Sequence, residues 1–286
     1  MNLRVVRTAR EIRGAVSQAR QSGQSIGLVP TMGALHQGHG ALMERARAES
    51  GCVIVSIFVN PLQFDRKDDY ERYARTFPAD LEFCRERGVD LVFAPDGAEV
   101  YPGDQRVYVD APSLSEYLCG KYRPGHFRGV ATVVAKLFNL VQPDRAYFGE
   151  KDAQQLAIIQ ALVTDLNFPI VIVPVPTVRE HDGLALSSRN ARLNPKERRS
   201  AAAVYRALRA AENNLGEGAS AAKEAAIAVL QQEPTIRVEY FEIVDPETLH
   251  PVEGIRGPVR IAAAVWAGET RLIDNIYSAG TGRPIP

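Results

Sequence analysis

Ser25-Ile26-Gly27-Leu28-Val29-Pro30-Thr31-Met32-Gly33-Ala34-Leu35-His36-Gln37-Gly38-His39 is the stretch whose reading decides the fold. Residues 25–30 are short, apolar and without alternation, the pattern of a strand buried on both faces of a parallel sheet. Residues 31–39 carry Gly33, Gly38, His36 and His39, and residues 40–49 then place Leu42, Met43 and Ala46 on one helix face. A buried strand that passes through a glycine-bearing turn into a helix is half of a βαβ unit.

The same alternation continues on either side. Strand-like runs fall at 52–59, 90–94, 145–148 and 170–175, and a weakly alternating run at 106–110 is expected as an edge or side strand. Helical patterns lie between them at 80–87, 129–141 and 153–166, and Gly88 is placed to end the first of these. The pattern changes near residue 180, where Pro174, Pro176 and Arg179-Glu180-His181-Asp182-Gly183 read as a connector. Asn194-Pro195 then reads as a helix cap and first turn. Helices are expected to about residue 213 and over 219–232, and strands over 237–244 and 259–265. The expected fold class is α/β, a parallel sheet with helices on both faces followed by a smaller α+β domain, divided as 1–177 and 178–286.

Composition narrows the class of function. The 286 residues are 45% hydrophobic and 24% charged, which is ordinary for a globular chain and argues against disorder. Lys plus Arg equals Asp plus Glu, so no global basic charge points to nucleic acid. Cys52, Cys84 and Cys119 are odd in number and widely spaced, which argues against a disulfide framework or a zinc site and fits a reducing compartment. The first seventeen residues hold Arg4, Arg7, Arg10 and Arg13 with no continuous apolar run, unlike a secretory signal. No apolar stretch is long enough to span a membrane. A cytoplasmic protein is expected.

In an open parallel sheet, ligands bind beyond the carboxyl ends of the strands. His36 and His39 stand three residues apart at a helix start, where the dipole favours anions, and so suggest a phosphate site. A solvent-facing histidine pair or a surface metal site is the competing reading. The turn is neither a Walker A loop nor a G-x-G-x-x-G fingerprint. His-x-Gly-His after a first strand is what the nucleotidyltransferase α/β superfamily carries. Asn60-Pro61-Leu62-Gln63-Phe64 offers two amides and an apolar wall to a small acid, although a plain Asn-Pro turn is the default for that segment alone. Gly149-Glu150-Lys151-Asp152 follows a strand, and Lys151 there either neutralises phosphate or lies on the surface. Ser187-Ser188-Arg189 reads either as a phosphate clamp or as a helix cap beside an exposed arginine. Arg123 to Gly129 is basic and either lines the site or caps the following helix.

Taken together, these segments resemble the pantoate–β-alanine ligase family. Pro-Thr-Met-Gly-Ala-Leu-His-Gln-Gly-His (30–39), Val-Asn-Pro-Leu-Gln-Phe (59–64), Arg-Pro-Gly-His-Phe-Arg-Gly-Val (123–130), Phe-Gly-Glu-Lys-Asp-Ala-Gln-Gln-Leu (148–156) and Arg-Glu-His-Asp-Gly-Leu-Ala-Leu-Ser-Ser-Arg-Asn (179–190) occur in the family's order, and Leu272-Ile273-Asp274-Asn275 is also similar. The resemblance implies a Rossmann-like domain, a C-terminal lid domain and a homodimer. It implies ATP as a substrate along Met32, Gly33, Ala34, Leu35, His36, Gln37, Gly38, His39, Gly149, Glu150, Lys151, Asp152, Val178, Leu186, Ser187, Ser188 and Arg189. Pantoate would meet Gln63 and Gln155, β-alanine would meet Gln63, and His39 would be the proton donor. Mg²⁺ is implied, with Asp80 as its candidate ligand. Leu186, Asp65 and Ala74 depart from the family's usual Met, Gly and Pro. A cytidylyl- or adenylyltransferase would share the His-x-Gly-His turn without needing 60–64 or Gln155. A nucleotide-sensing module would have no use for both histidines together with Lys151 and Arg189.

Overall fold

β2 (Ile26–Thr31) is the strand on which the sheet is built. It pairs in parallel along its whole length with β3 (Cys52–Ile57), and through Gly27 and Leu28 with β5 (Arg145–Gly149). β4 (Leu91–Phe93) lies beyond β3, β1 (Arg4–Val6) beyond β4, and β6 (Val171–Val175) beyond β5. The order is therefore β1-β4-β3-β2-β5-β6, all parallel. Strand order reverses between β2 and β5, the switch point at which a Rossmann-like sheet opens its ligand crevice. The structure, a computed structural model, describes residues 3–280.

The chain divides into two compact units. The first comprises Met1–Pro112, Arg123–Glu150 and Ile158–Pro176, and holds the parallel sheet. Helix α2 (Gln37–Glu49) packs Leu42, Met43 and Ala46 with Val29, Val53, Val55, Val92, Tyr147 and Val173 into one core cluster. Helix α1 (Ala9–Gln21) and the helix His126–Val141 pack on each other and on β2. Burial pushes the Cys52 and Cys84 thiols up to about 11 and about 12, so neither is a ready nucleophile.

The second unit comprises Ser113–Tyr122, Lys151–Ala157 and Thr177–Pro286. Its antiparallel sheet has the order β7 (Ile236–Val244), β8 (Val259–Ala267), β9 (Thr270–Ser278). Helices Ala203–Asn213 and Ala219–Gln231 pack beside it through Ala207, Ala211, Ala222 and Ala226. Small side chains at these positions let the helix backbones approach closely. A bulge at Val238/Tyr240 interrupts the β7–β8 register, and Glu239 there accepts from Trp266 Nε1 at 2.9 Å and from Arg271 Nε at 2.9 Å.

The expected strands around the switch point are present. Residues 106–110 form no strand; the Val109 N–H donates instead to Thr132 Oγ1 at 3.0 Å. β1, α1 and β9 were not expected. α1 had a readable signal, because Thr8 and Glu11 form a capping box and Ile12, Ala15, Val16 and Ala19 make its buried face. β9 was obscured by Asp274 and Asn275, polar residues in the middle of the strand. The helix begun by Asn194 and Pro195 is broken at Ala202 into Pro195–Ala201 and Ala203–Asn213.

Gly27 is where β2 passes closest to its neighbours. A Cβ there would lie 2.5 Å from Ser50 Oγ and 3.2 Å from the Tyr147 ring, and those two hydroxyls are 3.1 Å apart in a buried hydrogen bond. Gly27→Ala is expected to destabilise the fold by about 1–3 kcal/mol, the usual cost of overpacking. Urea unfolding measures this; an unchanged midpoint would show that the Ser50–Tyr147 contact yields without cost.

Candidate active site

The turn after β2 is held by a carboxylate. Asp80 lies in the first turn of helix Phe77–Glu86 and is buried. Its Oδ2 accepts from the Ala34 N–H at 3.1 Å, and its Oδ1 accepts from the Leu35 N–H at 2.9 Å and from Thr76 Oγ1 at 3.1 Å. Ala34 has a φ of 51°, a left-handed conformation that costs a non-glycine residue about 1–3 kcal/mol. Charge-assisted bonds to the two amides offset that strain. Asp80 therefore faces the protein's own backbone and does not fit the part of a resident Mg²⁺ ligand. Among the described residues no group of three or more His, Cys, Asp or Glu side chains is arranged to hold a metal ion.

The histidines at the start of α2 are locked to backbone. His36 is the N-cap, and its Nδ1 accepts from the Gly38 N–H at 3.1 Å. The His36 N–H donates to Nδ1 of His39 at 3.2 Å, and the two ring centroids are 4.1 Å apart. A nitrogen that accepts an N–H must carry a lone pair, so each neutral ring holds its proton on Nε2. The sequence suggests a phosphate site made by the helix start together with its two imidazoles. The N–H groups of Ala34, Leu35, His36 and Gly38 are bonded to side chains, so of that expected set the two rings keep their Nε2–H donors.

Gln63 is oriented from behind. Asn60, which is 1% exposed, donates from Nδ2 to Gln63 Oε1 at 3.0 Å and to the Gly129 carbonyl at 3.0 Å, and accepts at Oδ1 from the Tyr101 hydroxyl at 2.8 Å. With Oε1 so held, Gln63 has its Nε2 hydrogens to offer an acid. Burial pushes the Tyr101 hydroxyl up, which keeps it a donor. Gly129 permits this approach: a Cβ there would lie 2.3 Å from the Leu62 carbonyl oxygen. The Gln63 carbonyl accepts from His126 Nδ1 at 2.6 Å and from Arg123 Nη2 at 3.1 Å, while Asp65 accepts from Arg123 Nε at 2.9 Å. Asn60, Tyr101, Arg123 and His126 thus support Gln63. Tyr101 lay outside every motif, and only its place in the fold reveals it.

In the second unit, Lys151 sits in the 3-10 turn Glu150–Asp152, half-buried, with Nζ 3.9 Å from Asp152 Oδ1. The two glutamines that follow differ in use. Gln154 is buried and donates to the Leu114 and Tyr117 carbonyls at 2.8 and 2.9 Å. Gln155 is half-buried and is the member of the pair suited to a ligand. Residues 178–186 form a short hairpin, with Arg179 bridged to Ala185 and the Leu186 N–H bonded to the Val178 carbonyl at 3.0 Å. Ser187 caps the 3-10 helix Ser188–Arg192 by accepting from the Arg189 N–H at 3.2 Å, so the capping role weighed for it is present. Arg189 is half-buried, not exposed.

A family model described as pantoate-beta-alanine ligase matches residues 4–277. A pantothenate synthetase of Moorella thermoacetica is 51% identical over 280 residues, covering 96% of this chain and 98% of the relative. A pantothenate synthetase of Thermotoga neapolitana is 50% identical over 276 residues, covering 96% and 99%. Among solved structures, pantothenate synthetase from Thermus thermophilus superposes with a TM-score of 0.89 at 49% identity, covering 96% of this chain and 98% of that one. A pantoate-beta-alanine ligase from Francisella tularensis, complexed with beta-gamma ATP and beta-alanine, superposes with a TM-score of 0.81 at 33% identity, covering 96% and 97%.

Asp80→Asn tests the anchor of the turn. An amide has one oxygen for the two backbone N–H groups, so one is left facing an NH₂. The expected loss is about 1–3 kcal/mol, together with faster hydrogen exchange at Ala34 and Leu35. Exchange at the wild-type rate would mean that the turn is held by something other than this carboxylate.

Proposed function

This chain belongs to the pantoate–β-alanine ligase family, whose reaction joins pantoate to β-alanine to give pantothenate, and from that premise we propose which residues carry the ATP-dependent condensation. The observation that carries the assignment is the pair of imidazoles locked by backbone N–H groups with their protons on Nε2. Two fixed donors suit a phosphate that gains charge as a bond to it breaks.

In the first step the pantoate carboxylate attacks the α-phosphorus of ATP. A carboxyl oxygen–phosphorus bond forms, the bond to the bridging oxygen of pyrophosphate breaks, and pantoyl adenylate results. In the second step the β-alanine amine attacks the activated carbonyl, pantothenate forms, and AMP leaves with the acyl oxygen's electron pair. The amine's surplus proton passes to solvent or phosphate. Both reactants of the first step are anions, so the site must offset their repulsion and align them.

His36 and His39 would donate from Nε2 to phosphate oxygens, with His39 the proton donor. By the family resemblance, Met32 to His39, Gly149 to Asp152, Val178 and Leu186 to Arg189 would be the residues that contact ATP. Lys151 and Arg189 would supply positive charge, and Ser187 and Ser188 hydroxyl donors. Gln63 would present its Nε2 hydrogens to pantoate and then to β-alanine, with Gln155 also on pantoate. Mg²⁺ prefers phosphate oxygens and water with few protein ligands, and would enter with ATP as part of that substrate. For function we keep 1–177 as the ATP- and pantoate-binding domain and 178–286 as the lid. We also propose a cytoplasmic homodimer; buried free thiols suit a reducing compartment, and no helix among the described residues is long and apolar enough to cross a membrane.

His39→Ala is expected to slow adenylation by about 10²–10³-fold, the scale of losing one preorganised donor. Rapid-quench measurement of pantoyl adenylate tests this, and a near-normal rate in the folded variant removes His39 from the role. ATP–pyrophosphate exchange should require pantoate and proceed without β-alanine. Exchange that waits for β-alanine would refute the two-step order.

A further inference from the structure

Asp274 and Asn275 are adjacent, buried and polar in the middle of β9, a costly choice unless their bonds are used. Neighbouring residues of a strand point to opposite faces, so the two side chains reach different partners. Asn275 Nδ2 donates to the carbonyl of Lys151 at 2.8 Å, and its Oδ1 accepts from Arg260 Nη1 at 2.5 Å. Asp274 accepts both prongs of the Arg179 guanidinium, Nη1 to Oδ2 at 2.6 Å and Nη2 to Oδ1 at 3.0 Å. Arg179 in turn donates to the Gly183 carbonyl at 3.0 Å and to the Asn275 carbonyl at 3.2 Å, and stacks 4.2 Å from the Tyr205 ring centroid.

Two separate segments are thereby tied to one strand. Asn275 holds the turn that carries Lys151. Asp274, through Arg179, holds the hairpin 178–186 that delivers Ser187, Ser188 and Arg189. Both segments, β9 and Arg179 belong to the second unit. Burial raises the Asp274 carboxyl above its ordinary range, while Arg179 and, more weakly, Lys151 pull it back. The Lys151 ammonium is thus within electrostatic reach of the same carboxylate.

We propose that Asp274 and Asn275 are positioning residues for adenylate formation, setting the Lys151 turn and the Ser187–Arg189 segment at a fixed spacing on β9. The inference rests on the reading that those segments handle ATP. It goes beyond that reading by naming the strand that aligns them. The second step, with the adenylate already formed and pyrophosphate gone, has no triphosphate to align.

The test separates the two half-reactions in the full chain. Asn275→Ala removes the donor to Lys151. Asn275→Asp keeps the side-chain shape and the Arg260 acceptor while losing the same donor. Both are expected to slow pantoate-dependent ATP–pyrophosphate exchange by roughly 10–100-fold, the penalty of misaligned reactants. Both should leave aminolysis of supplied pantoyl adenylate by β-alanine at the wild-type rate. Arg179→Lys, which keeps charge but loses the fork, should show the same split. Equal losses in both half-reactions would mean general loosening of the unit and would overturn the proposal, as would exchange at the wild-type rate. Lys151→Ala is the control. If it slows exchange while the Asn275 variants do not, positioning fails alone. If Lys151→Ala itself has no effect, the ATP reading fails and takes this inference with it.

Discussion

Two backbone N–H groups at the start of α2 decide which nitrogen of each histidine carries its proton. Gly38 donates to His36 and His36 donates to His39, so both rings present Nε2–H. A helix N-terminus ordinarily binds anions through its own open amides. Here two of the amides, those of His36 and Gly38, are bonded to the rings, whose Nε2–H groups are the donors proposed to meet phosphate. Nothing of this works unless the preceding turn is rigid, and Asp80 supplies that rigidity by accepting from Ala34 and Leu35. The strained Ala34 backbone is tolerated because a buried carboxylate holds it in place.

The same economy recurs at each assigned residue. Gln63 is turned by Asn60, which Tyr101 holds in turn. Lys151 is held through its carbonyl by Asn275. Gln154 is consumed by the carbonyls of Leu114 and Tyr117, beside Gln155, the residue proposed to meet pantoate. In each case a buried polar group is bonded on the protein side and so fixes its neighbour, the residue proposed to meet a substrate. Reactions between two anions gain most from such alignment, because repulsion and lost freedom are both met before the chemical step.

The departures from the family pattern divide on physical grounds. Asp65, where glycine is usual, pairs with Arg123, and Arg123 donates to the Gln63 carbonyl, so the extra carboxylate braces the segment it follows. Leu186 for Met conserves volume. Nothing in the structure explains Ala74.

Local order was legible in the chain itself. Apolar runs without alternation announced β2, β3, β4, β5 and β6, and glycine and histidine residues marked the turn between β2 and α2, because burial period and turn chemistry are local properties. Thr8 and Glu11 also advertised α1 in plain capping chemistry. What only tertiary structure decided was direction. The tautomers of His36 and His39, the bonding of Asp80 to the backbone of Ala34 and Leu35, and the orientation of Gln63 depend on partners brought together by folding. β9 lay beyond a local reading for the same reason. Asp274 and Asn275 look unsuited to a strand interior until Arg260 on the adjoining strand and Arg179 and Lys151, far away in sequence, arrive to satisfy them. A polar side chain is assigned by who bonds to it, and those bonds exist only once distant segments have been packed against one another.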